Sequence, residues 1–445
     1  MIIEKIKTDS LAHLSYLIID GSDAIVIDPC RHVLEYLNKA KAQNARIKYI
    51  FETHRNEDLV TGSRELKRYC GAKIFHGEGL DFKFGEFAQD GDEFKVGSMT
   101  AKVLATPGHT PESISIALYP EKQKDAVAVF TGDALFVNDV GRTDFFPNQM
   151  EEYAGKLYDS LFEKILPLGD QVVLYPAHGA GSVCGGGIAD REVSTLGFEK
   201  KNNPMLQLSR EEFIKKKVKE KHQQPPYFRK MEELNLKGND QPLKNYDEIH
   251  LFNVQEFKNS KDNAQTLDVR APEAFLGCHI PHTLNIPEDM LGAYAGYFLD
   301  YQKNILLVAD NYEQATKAKK TLEILGFDNQ INLLTKGMLA WETSGEDIEN
   351  TPLISAKEVL NQRDDLNLID VRKPDEWEEG IIEGAKKIFL GDLKDALGDL
   401  NPEKNYTLYC GSGKRATIAA SLMQAHGFKK VDVFMGSMAA YKKLQ

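Results

Sequence analysis

Cysteine is scarce in this sequence, with five residues in a chain of 445. A small and odd number of cysteines does not suit the disulfide framework that stabilises secreted domains. The segment from Met1 to Leu11 alternates apolar and charged residues and has no apolar core like that of a signal peptide. We therefore expect a reducing, cytoplasmic setting.

Long apolar runs and an excess of positive charge are also missing. No uninterrupted apolar stretch is long enough to cross a bilayer, so we expect no membrane partner. The chain has 55 Lys and Arg residues against 67 Asp and Glu residues, a formal net charge of −12. Binding to nucleic acid needs a basic face, so this class of partner is excluded. Small anions are not excluded, because a few local cations are enough to hold them.

The length of the chain predicts two to three domains. Residues 1 to about 240 read as strands alternating with helices and Gly/Pro loops, and residues 238–242 read as a linker. The remainder contains a degenerate duplication. Its copies match at two places: Asp268-Val269-Arg270 with Asp370-Val371-Arg372, and the segment 337–341 with 436–441.

A repeat of roughly a hundred residues is too long for a solenoid and fits two tandem domains. Each copy alternates buried strands with helices, which predicts small α/β domains with parallel sheets covered on both faces. We therefore expect an α/β protein with three domains: 1–242, 243–349 and 350–445.

Several strand-like segments in the first domain end just before a polar residue that can bind a metal. The candidate ligands are His54 after 49–51, His109 after 100–105, and Asp133 after 126–130. Two imidazoles and one carboxylate form the facial triad of non-haem iron(II) oxygenases, which leaves positions open for substrate and O2. A catalytic zinc site more often fills three or four positions and holds a metal-bound hydroxide.

The loop around His54 lacks two groups that a second metal would need. Residues 53–59, Thr-His-Arg-Asn-Glu-Asp-Leu, resemble the HxHxDH loop of the metallo-β-lactamase superfamily, but Asn56 and Leu59 stand where two of its histidines would be. Leucine has no lone pair for a metal, and a neutral amide is a poor substitute for imidazole. We therefore expect one metal per chain. Asp58 and His178 are expected to hold neighbouring groups by hydrogen bond, or to be structural, rather than to bind a second metal.

Four short motifs together resemble the persulfide dioxygenases, which are metallo-β-lactamase-fold enzymes. The motifs are Thr53-His54, residues 106–110 (TPGHT), 131–133 (TGD) and 141–145 (GRTDF). The resemblance implies an αββα sandwich with one Fe(II) held by His54, His109 and Asp133, which uses O2 to oxidise a low-molecular-weight thiol persulfide to sulfite. It also implies that Arg142 lies near the site, where it either orients the substrate or braces the loop.

Cys184 lies in a loop with an unusual number of glycines, residues 179–187. Glycine lets the backbone approach a ligand closely, and such a loop is expected to leave a cysteine accessible. Two interpretations stay open: an incidental thiol in a flexible loop, or a thiol that lines the persulfide entrance and carries sulfur. A similar loop occurs in the fused persulfide dioxygenase–rhodanese proteins, which this chain resembles over its full length.

A second candidate site lies near the C-terminus. The strand 407–409 is followed by Cys410, then by Gly411, Ser412, Gly413, Lys414 and Arg415, and then by a predicted helix over 416–426. Amide groups at a helix N-terminus and nearby cations lower a thiol pKa and bind an anionic persulfide. The pattern resembles a rhodanese, whose cysteine accepts sulfane sulfur. We assign Cys410 and Arg415 to catalysis and residues 411–414 to substrate binding.

The first of the two copies lacks a cysteine at the position that matches Cys410. Its strand Ile305–Ala309 is followed by Asp310, where the nucleophile is expected, and a carboxylate cannot carry sulfur as a persulfide. Residues 243–349 are therefore expected to be an inactive rhodanese-like domain that serves as a spacer or docking domain. This domain and the charged region 206–237 offer assembly surfaces, so we expect a homo-oligomer, a dimer or a tetramer.

These expectations together predict an enzyme of sulfide detoxification. Persulfide and O2 would give sulfite at the iron, and Cys410 would transfer sulfane sulfur to that sulfite to give thiosulfate. The alternative enzyme is a zinc thioester hydrolase of glyoxalase II type with a sulfurtransferase domain. A further alternative is a non-catalytic sulfur sensor or carrier that uses Cys184 and Cys410.

Overall fold

The structure is a computed structural model that describes residues 1–191, 193–220, 222–239, 241–243 and 248–444. Asp240 of the predicted linker lies outside the described residues. The chain divides into two units, Met1–Lys244 with Ile324–Gly326, and Asn245–Glu323 with Phe327–Gln445. The domain boundaries after residues 242 and 349 stay a prediction.

Two six-stranded sheets build the first unit. The first sheet has the order β1-β2-β3-β4-β5-β6: β1 (Ile2–Thr8), β2 (His13–Asp20), β3 (Asp23–Ile27), β4 (Arg46–Glu52), β5 (Lys73–His76) and β6 (Glu86–Phe87). The second has the order β12-β11-β10-β9-β8-β7: β7 (Glu93–Val96), β8 (Met99–Ala105), β9 (Ile114–Pro120), β10 (Ala128–Gly132), β11 (Val173–Pro176) and β12 (Ser194–Thr195).

The two sheets pack face to face, and helices cover them on the outside. The helices are α1 (Leu34–Ala42), α2 (Ser63–Cys70), α3 (Met150–Asp159), α4 (Leu196–Asn202), α5 (Arg210–Lys219) and α6 (Phe228–Lys237). One buried cluster joins Phe51 of β4 to Ile116 and Phe130 of the other sheet. A second joins Val129 to Phe213 of α5, while α1 and α2 pack against the first sheet. These layers are the predicted αββα sandwich, which is confirmed.

The sandwich brings the carboxyl ends of four strands to the candidate site. The loop that carries His54 leaves β4, and the loop that carries His109 leaves β8. Asp133 directly follows β10, and His178 follows β11, which pairs in parallel with β10. Strands that end at one edge can deliver polar side chains to a common point.

The second unit contains two parallel sheets. One has the order β13-β17-β16-β14-β15: β13 (His250–Phe252), β14 (Ala264–Asp268), β15 (Leu284–Asn285), β16 (Asn304–Val308) and β17 (Ile331–Leu334). The other has the order β19-β18-β20-β21: β18 (Leu368–Asp370), β19 (Lys386–Lys387), β20 (Tyr406–Tyr409) and β21 (Val431–Val433). All of these strand pairs are parallel, as the sequence predicts.

Helices alternate with these strands along the chain. Those of the first copy are α7 (Val254–Ser260), α8 (Pro272–Gly277), α9 (Leu291–Phe298), α10 (Tyr312–Ile324) and α11 (Gly337–Thr343). Those of the second copy are α12 (Ala356–Gln362), α13 (Pro374–Glu378), α14 (Leu393–Ala396), α15 (Lys414–Ala425) and α16 (Ser437–Leu444).

The repeated Asp-Val-Arg segment makes the same contacts in both copies. Arg270 Nη2 lies 2.6 Å from Asp268 Oδ2 and also donates to the carbonyl of Cys278 at 2.8 Å. Arg372 Nη2 lies 2.7 Å from Asp370 Oδ2 and donates to the carbonyl of Gly380 at 2.7 Å. In each copy the arginine connects the end of a strand to the segment that follows the next helix, so the motif has a structural role.

Strand register corrects one detail of the comparison between the copies. Asp268 pairs with Val308, whereas the matching Asp370 pairs with Tyr409. Ala309, and not Asp310, therefore stands at the position of Cys410. The expectation that Asp310 stands at the nucleophile position is therefore wrong by one residue. The register is set by pairing between strands, and the apolar run in the sequence does not show where that pairing ends. Ala309 has no nucleophilic atom, so the copy still lacks the sulfur-accepting group.

Among the described residues, the helices are too short or too polar to span a lipid bilayer.

Candidate functional site

His54 is held so that one ring nitrogen faces the centre of the site. The Thr53 backbone N–H and hydroxyl donate to the two carboxylate oxygens of Asp28, at 2.7 Å each. The Thr53 oxygen also lies 2.9 Å from His54 Nδ1. Because the threonine hydroxyl proton is used by Asp28, Nδ1 donates to Thr53, and the lone pair of His54 is on Nε2.

His109 is oriented in the same way by the backbone of the loop beyond β10. Its Nδ1 donates to the carbonyl oxygen of Arg142 at 2.9 Å, which leaves Nε2 as the atom with a free lone pair. The ring of Phe145 lies edge-on against the His109 ring, with 5.1 Å between the centroids. His109 is therefore fixed on both sides.

Asp133 turns one oxygen toward the two histidines and the other toward His178. Its Oδ2 lies 3.6 Å from His54 Nε2 and 3.5 Å from His109 Nε2. Its Oδ1 accepts a hydrogen bond from His178 Nδ1 at 2.7 Å, and His178 Nε2 lies 3.3 Å from Asp58 Oδ2. The structure thus places Asp58 and His178 behind Asp133, and their supporting role stays a prediction.

The three candidate ligand atoms fit a single metal ion. Within the part of the chain that the structure describes, His54 Nε2, His109 Nε2 and Asp133 Oδ2 are buried and have no hydrogen-bond partner. Buried polar atoms without a partner are costly unless a ligand satisfies them. Two imidazole nitrogens and one carboxylate oxygen are donors that suit iron(II).

The electrostatics of the site favour the ligand forms of these groups. Burial lowers the pKa of His54 to about 3 and that of His109 to about 4, so both rings are neutral near pH 7. Burial acts to raise the pKa of Asp133, but His178 and His54 outweigh it and hold this pKa below its usual range. Neutral imidazole and ionised carboxylate are the forms that bind metals.

Arg142 braces the loops around the site. The fully buried guanidinium forms a fork with Asp144, with Nε–Oδ1 and Nη2–Oδ2 distances of 2.6 and 2.8 Å. It also donates to the carbonyl of Gln223 at 3.1 Å and lies over the ring of Phe145. Of the two predicted roles, these contacts favour bracing over substrate orientation.

Cys184 is buried beside the candidate metal ligands, whereas the sequence led us to expect an accessible thiol. Its side chain is 1% exposed, and its sulfur lies within 4.8 Å of ligand atoms of His109 and Asp133. Burial raises the pKa of this thiol well above its usual value, and Asp133 and Asp58 act in the same direction. The glycines of its loop do not expose Cys184, because the loop folds inward against the site.

Sequence reasoning missed two buried residues of this site. Glu57 is 1% exposed, and its carboxylate groups with His54 and His109, with ligand atoms within 4.8 Å of one another. His13 is fully buried, and its ring lies edge-on to His178 with centroids 5.4 Å apart. Glu57 could have been found from the sequence, because it is an acidic residue inside a loop that lacks two of the expected histidines. Nothing in the sequence around His13 indicated that this residue lies at the site.

Cys410 lies just before the N-terminus of helix α15, as the sequence predicts. The thiol is 1% exposed, and the Gly413 N–H donates to its sulfur at 3.1 Å. Gly413 has a φ of +94°, and a Cβ there would meet Met435 at 2.5 Å, so the turn needs glycine. Helix α15 begins two residues earlier than predicted, at Lys414.

The cations next to Cys410 are held by carboxylates. Arg415 forms a fork with Glu376, in which the Nη2–Oε1 distance is 2.8 Å, and Lys414 pairs with Asp289 of the first copy. Burial works against the charge of Arg415, but Glu376 and Cys410 raise its pKa. Tyr294, also of the first copy, hydrogen-bonds Arg415, and burial raises its pKa to about 12. The copy without a nucleophile thus supplies two side chains, Asp289 and Tyr294, that contact the first residues of helix α15 in the other copy.

Two family models match the chain. The model "Metallo-beta-lactamase superfamily" matches residues 8–178, and the model "Rhodanese-like domain" matches residues 253–344 and 355–444. The relative "Persulfide dioxygenase ETHE1, mitochondrial" of Bos taurus is 34% identical over 203 residues, which cover 44% of this chain and 71% of the relative. The "Hydroxyacylglutathione hydrolase GloC" of Haemophilus influenzae is 27% identical over 209 residues, 42% of this chain and 89% of the relative.

A solved structure supports the same assignment. The crystal structure of a metallo-beta-lactamase from Staphylococcus aureus subsp. aureus COL is similar with a TM-score of 0.67 and 31% identity, over 75% of this chain and 99% of that one. The αββα sandwich, the two parallel-sheet copies and these matches agree. The chain therefore belongs to the enzymes that join a persulfide dioxygenase domain of the metallo-β-lactamase superfamily to tandem rhodanese domains.

Proposed function

We propose that this enzyme oxidises a low-molecular-weight thiol persulfide at one Fe(II) per chain and converts the product to thiosulfate, as a cytoplasmic homo-oligomer that detoxifies sulfide. The first reaction is RSSH + O2 + H2O → RSH + SO3²⁻ + 2 H⁺. The second is RSSH + SO3²⁻ → RSH + S2O3²⁻. Both reactions consume the same persulfide, RSSH, so one kind of substrate supplies both sulfur atoms of thiosulfate.

The observation that carries the proposal is the convergence of His54 Nε2, His109 Nε2 and Asp133 Oδ2, which are buried with no partner in the described part of the chain. Bound iron(II) would supply neighbouring open positions for the persulfide sulfur and O2. Leu59, which is fully buried, fills the position where a further histidine would serve a second metal. The donor set therefore favours one metal with open positions.

The surrounding groups fix the positions of the candidate metal ligands and exclude water from them. His178 holds Asp133 by its outer oxygen, and the Arg142 carbonyl holds the His109 ring. His54, His109 and Asp133 are each at most 2% exposed, so bulk water is excluded from their ligand atoms. The Cys184 sulfur lies within 4.8 Å of ligand atoms of His109 and Asp133. A persulfide bound at this centre would therefore have its sulfur near Cys184, which supports a sulfur-handling role.

A cavity next to the metal site can accommodate the thiol carrier, which is the RS part of the persulfide RSSH. Phe145, whose ring touches His109, lines a cavity of about 470 Å³ together with Phe228 and Arg229. A cavity of this size can hold a small thiol with apolar and anionic parts. We place the carrier there, with its persulfide directed toward His109.

The transfer step uses Cys410. Its thiolate attacks the outer sulfur of a second RSSH, which releases RSH and leaves the anionic persulfide Cys410–S–S⁻. Sulfite then attacks the outer sulfur, which releases thiosulfate and restores the thiolate. The Gly413 N–H, which already donates to the sulfur, and the N-terminus of α15 favour the anionic form of this group.

A zinc thioester hydrolase is the second candidate, because the similar Haemophilus protein is a hydroxyacylglutathione hydrolase and Asp58 and His178 are present. The two are separated by reconstituting the apoprotein anaerobically with Fe(II) or Zn(II) and assaying both substrates. We expect O2-dependent persulfide consumption with one iron per chain and negligible thioester hydrolysis with either metal. Thioester turnover with two zinc ions per chain, and no persulfide oxidation, would reverse the assignment.

A further inference from the structure

Glu57 has one carboxylate oxygen that its protein neighbours leave unused. Its Oε1 accepts a hydrogen bond from Arg55 Nη2 at 2.9 Å. Its Oε2 is buried, has no hydrogen-bond partner among the described residues, and lies 3.9 Å from His109 Nε2. The ligand atoms of His54, Glu57 and His109 are all within 4.8 Å of one another. An unused carboxyl oxygen thus points to the same histidines as Asp133.

Arg55 does not account for this oxygen. Its Nη2 is shared between Glu57 Oε1 and Glu232 Oε1, at 2.9 and 3.1 Å. Removing a carboxylate oxygen from water without a compensating partner is costly, and the cost is met in proteins by a counter-charge, a metal or a bound proton. Because Arg55 engages Oε1, Oε2 is the atom that remains for a cation between the histidines.

The fold fixes the direction of the Glu57 side chain. Asn235 of α6 donates from Nδ2 to the carbonyl oxygens of Asn56 and Leu59, at 2.7 Å each. These bonds clamp the loop on both sides of Glu57 and Asp58. Glu57 therefore points inward because of the backbone path, and the loop that lacks two histidines gains a carboxylate in the same span.

We propose that Glu57 is a fourth protein ligand of the metal, so that the centre has two imidazoles and two carboxylates instead of the predicted triad. This inference rests on the proposed metal site of His54, His109 and Asp133. Two carboxylates balance the charge of a divalent ion. In a six-coordinate ion they leave two open positions, one for the persulfide sulfur and one for O2, where the triad leaves three.

The test measures metal binding in the full-length protein, without O2 or substrate. Apoprotein is titrated anaerobically with Co(II), whose visible absorption reports its ligands, and affinity is measured by chelator competition. We expect Glu57→Gln to change the Co(II) spectrum and to weaken binding roughly tenfold or more. Glu232→Gln is the matched control, because Glu232 shares Arg55 but is partly exposed, and it should leave spectrum and affinity unchanged.

A double variant separates a ligand from a counter-charge. If Glu57 served only to neutralise Arg55, Arg55→Met combined with Glu57→Gln would restore the wild-type spectrum and affinity, and that result would overturn the inference. We expect no rescue. Glu57→Asp covers the case in which Glu57→Gln fails to fold: it keeps the charge but shortens the arm, and it too should change the spectrum. A wild-type spectrum from Glu57→Asp or Glu57→Gln would refute the inference.

These readouts are independent of the proposed reaction. An enzyme that consumes no O2 but shows a spectrum that depends on Glu57 would contradict the proposed function and leave the ligand assignment standing. If the enzyme oxidises persulfide but Glu57→Gln binds Co(II) like the wild type, the proposed function stands and the assignment of Glu57 as a ligand is wrong.

Discussion

His178 Nδ1 donates a hydrogen bond to Asp133 Oδ1 at 2.7 Å, while Oδ2 of the same carboxylate faces His54 and His109. The two oxygens of Asp133 thus have different tasks. A carboxylate anchored in this way loses little freedom when its other oxygen binds a metal, and such anchoring groups contribute to metal affinity although they do not touch the metal.

We expect His178→Phe to weaken Fe(II) binding by roughly 10- to 100-fold, because Asp133 loses its anchor. The matched control is His13→Phe, which replaces another fully buried histidine next to His178 that has no hydrogen bond to Asp133. The affinity is measured by anaerobic competition with a chromogenic chelator, and thermal unfolding checks both variants. Equal affinities of His178→Phe and wild type would contradict the anchoring role.

Restoring the two histidines that the His54 loop lacks should change the metal content. In the double variant Asn56→His, Leu59→His, the new imidazoles join Asp58 and His178, whose facing atoms are 3.3 Å apart. We expect two zinc ions per chain instead of one, measured by elemental analysis after dialysis. One zinc ion in the folded double variant would show that residues 56 and 59 do not limit the site to a single metal.

Cys410→Ser should separate the two reactions. The hydroxyl of serine does not form a persulfide, so sulfane sulfur has no carrier, while the iron site lies in another part of the chain. We expect O2 uptake close to that of the wild type, with sulfite replacing thiosulfate as the product in a chromatographic assay. An undiminished yield of thiosulfate would mean that Cys410 is not in the pathway.

Tyr294 should influence Cys410 through Arg415. Its hydroxyl hydrogen-bonds Arg415, which stands next to the nucleophile, so Tyr294→Phe removes a bond worth about 1 kcal/mol. We expect the rate of thiosulfate formation from persulfide and sulfite to fall by roughly fivefold.

Tyr297→Phe is the matched control, because Tyr297 lies on the same helix α9 and its ring packs near that of Phe389. It should leave the rate of thiosulfate formation unchanged. If both variants behave like the wild type, the first copy does not act on Cys410 through Tyr294.

Much of the fold follows from local patterns in the sequence. The strands before His54, His109 and Asp133 lie within three residues of their predicted bounds. The loop around Cys410 was also predictable, because a strand, a glycine-rich turn and a helix follow one another without interruption. In each of these cases the information is contiguous in the sequence.

What sequence reasoning missed depends on contacts between distant segments. Ala309 takes the position of Cys410 because of pairing between strands, and Tyr294 reaches Arg415 across more than a hundred residues of chain. Glu57 faces His109 because Asn235, far along the chain, clamps its loop. Cys184 is buried although glycines flank it, since glycine indicates a flexible backbone but not the direction in which a loop folds.

The central claim, O2-dependent persulfide oxidation at His54, His109 and Asp133, is tested most directly by an oxygen electrode. Iron-loaded enzyme is given a low-molecular-weight persulfide, and sulfite plus thiosulfate are measured in the same sample. We predict one O2 consumed for each sulfite or thiosulfate formed, with uptake abolished in Asp133→Asn. No O2 uptake by wild-type enzyme that holds one iron per chain, or equal uptake by Asp133→Asn, would contradict the account.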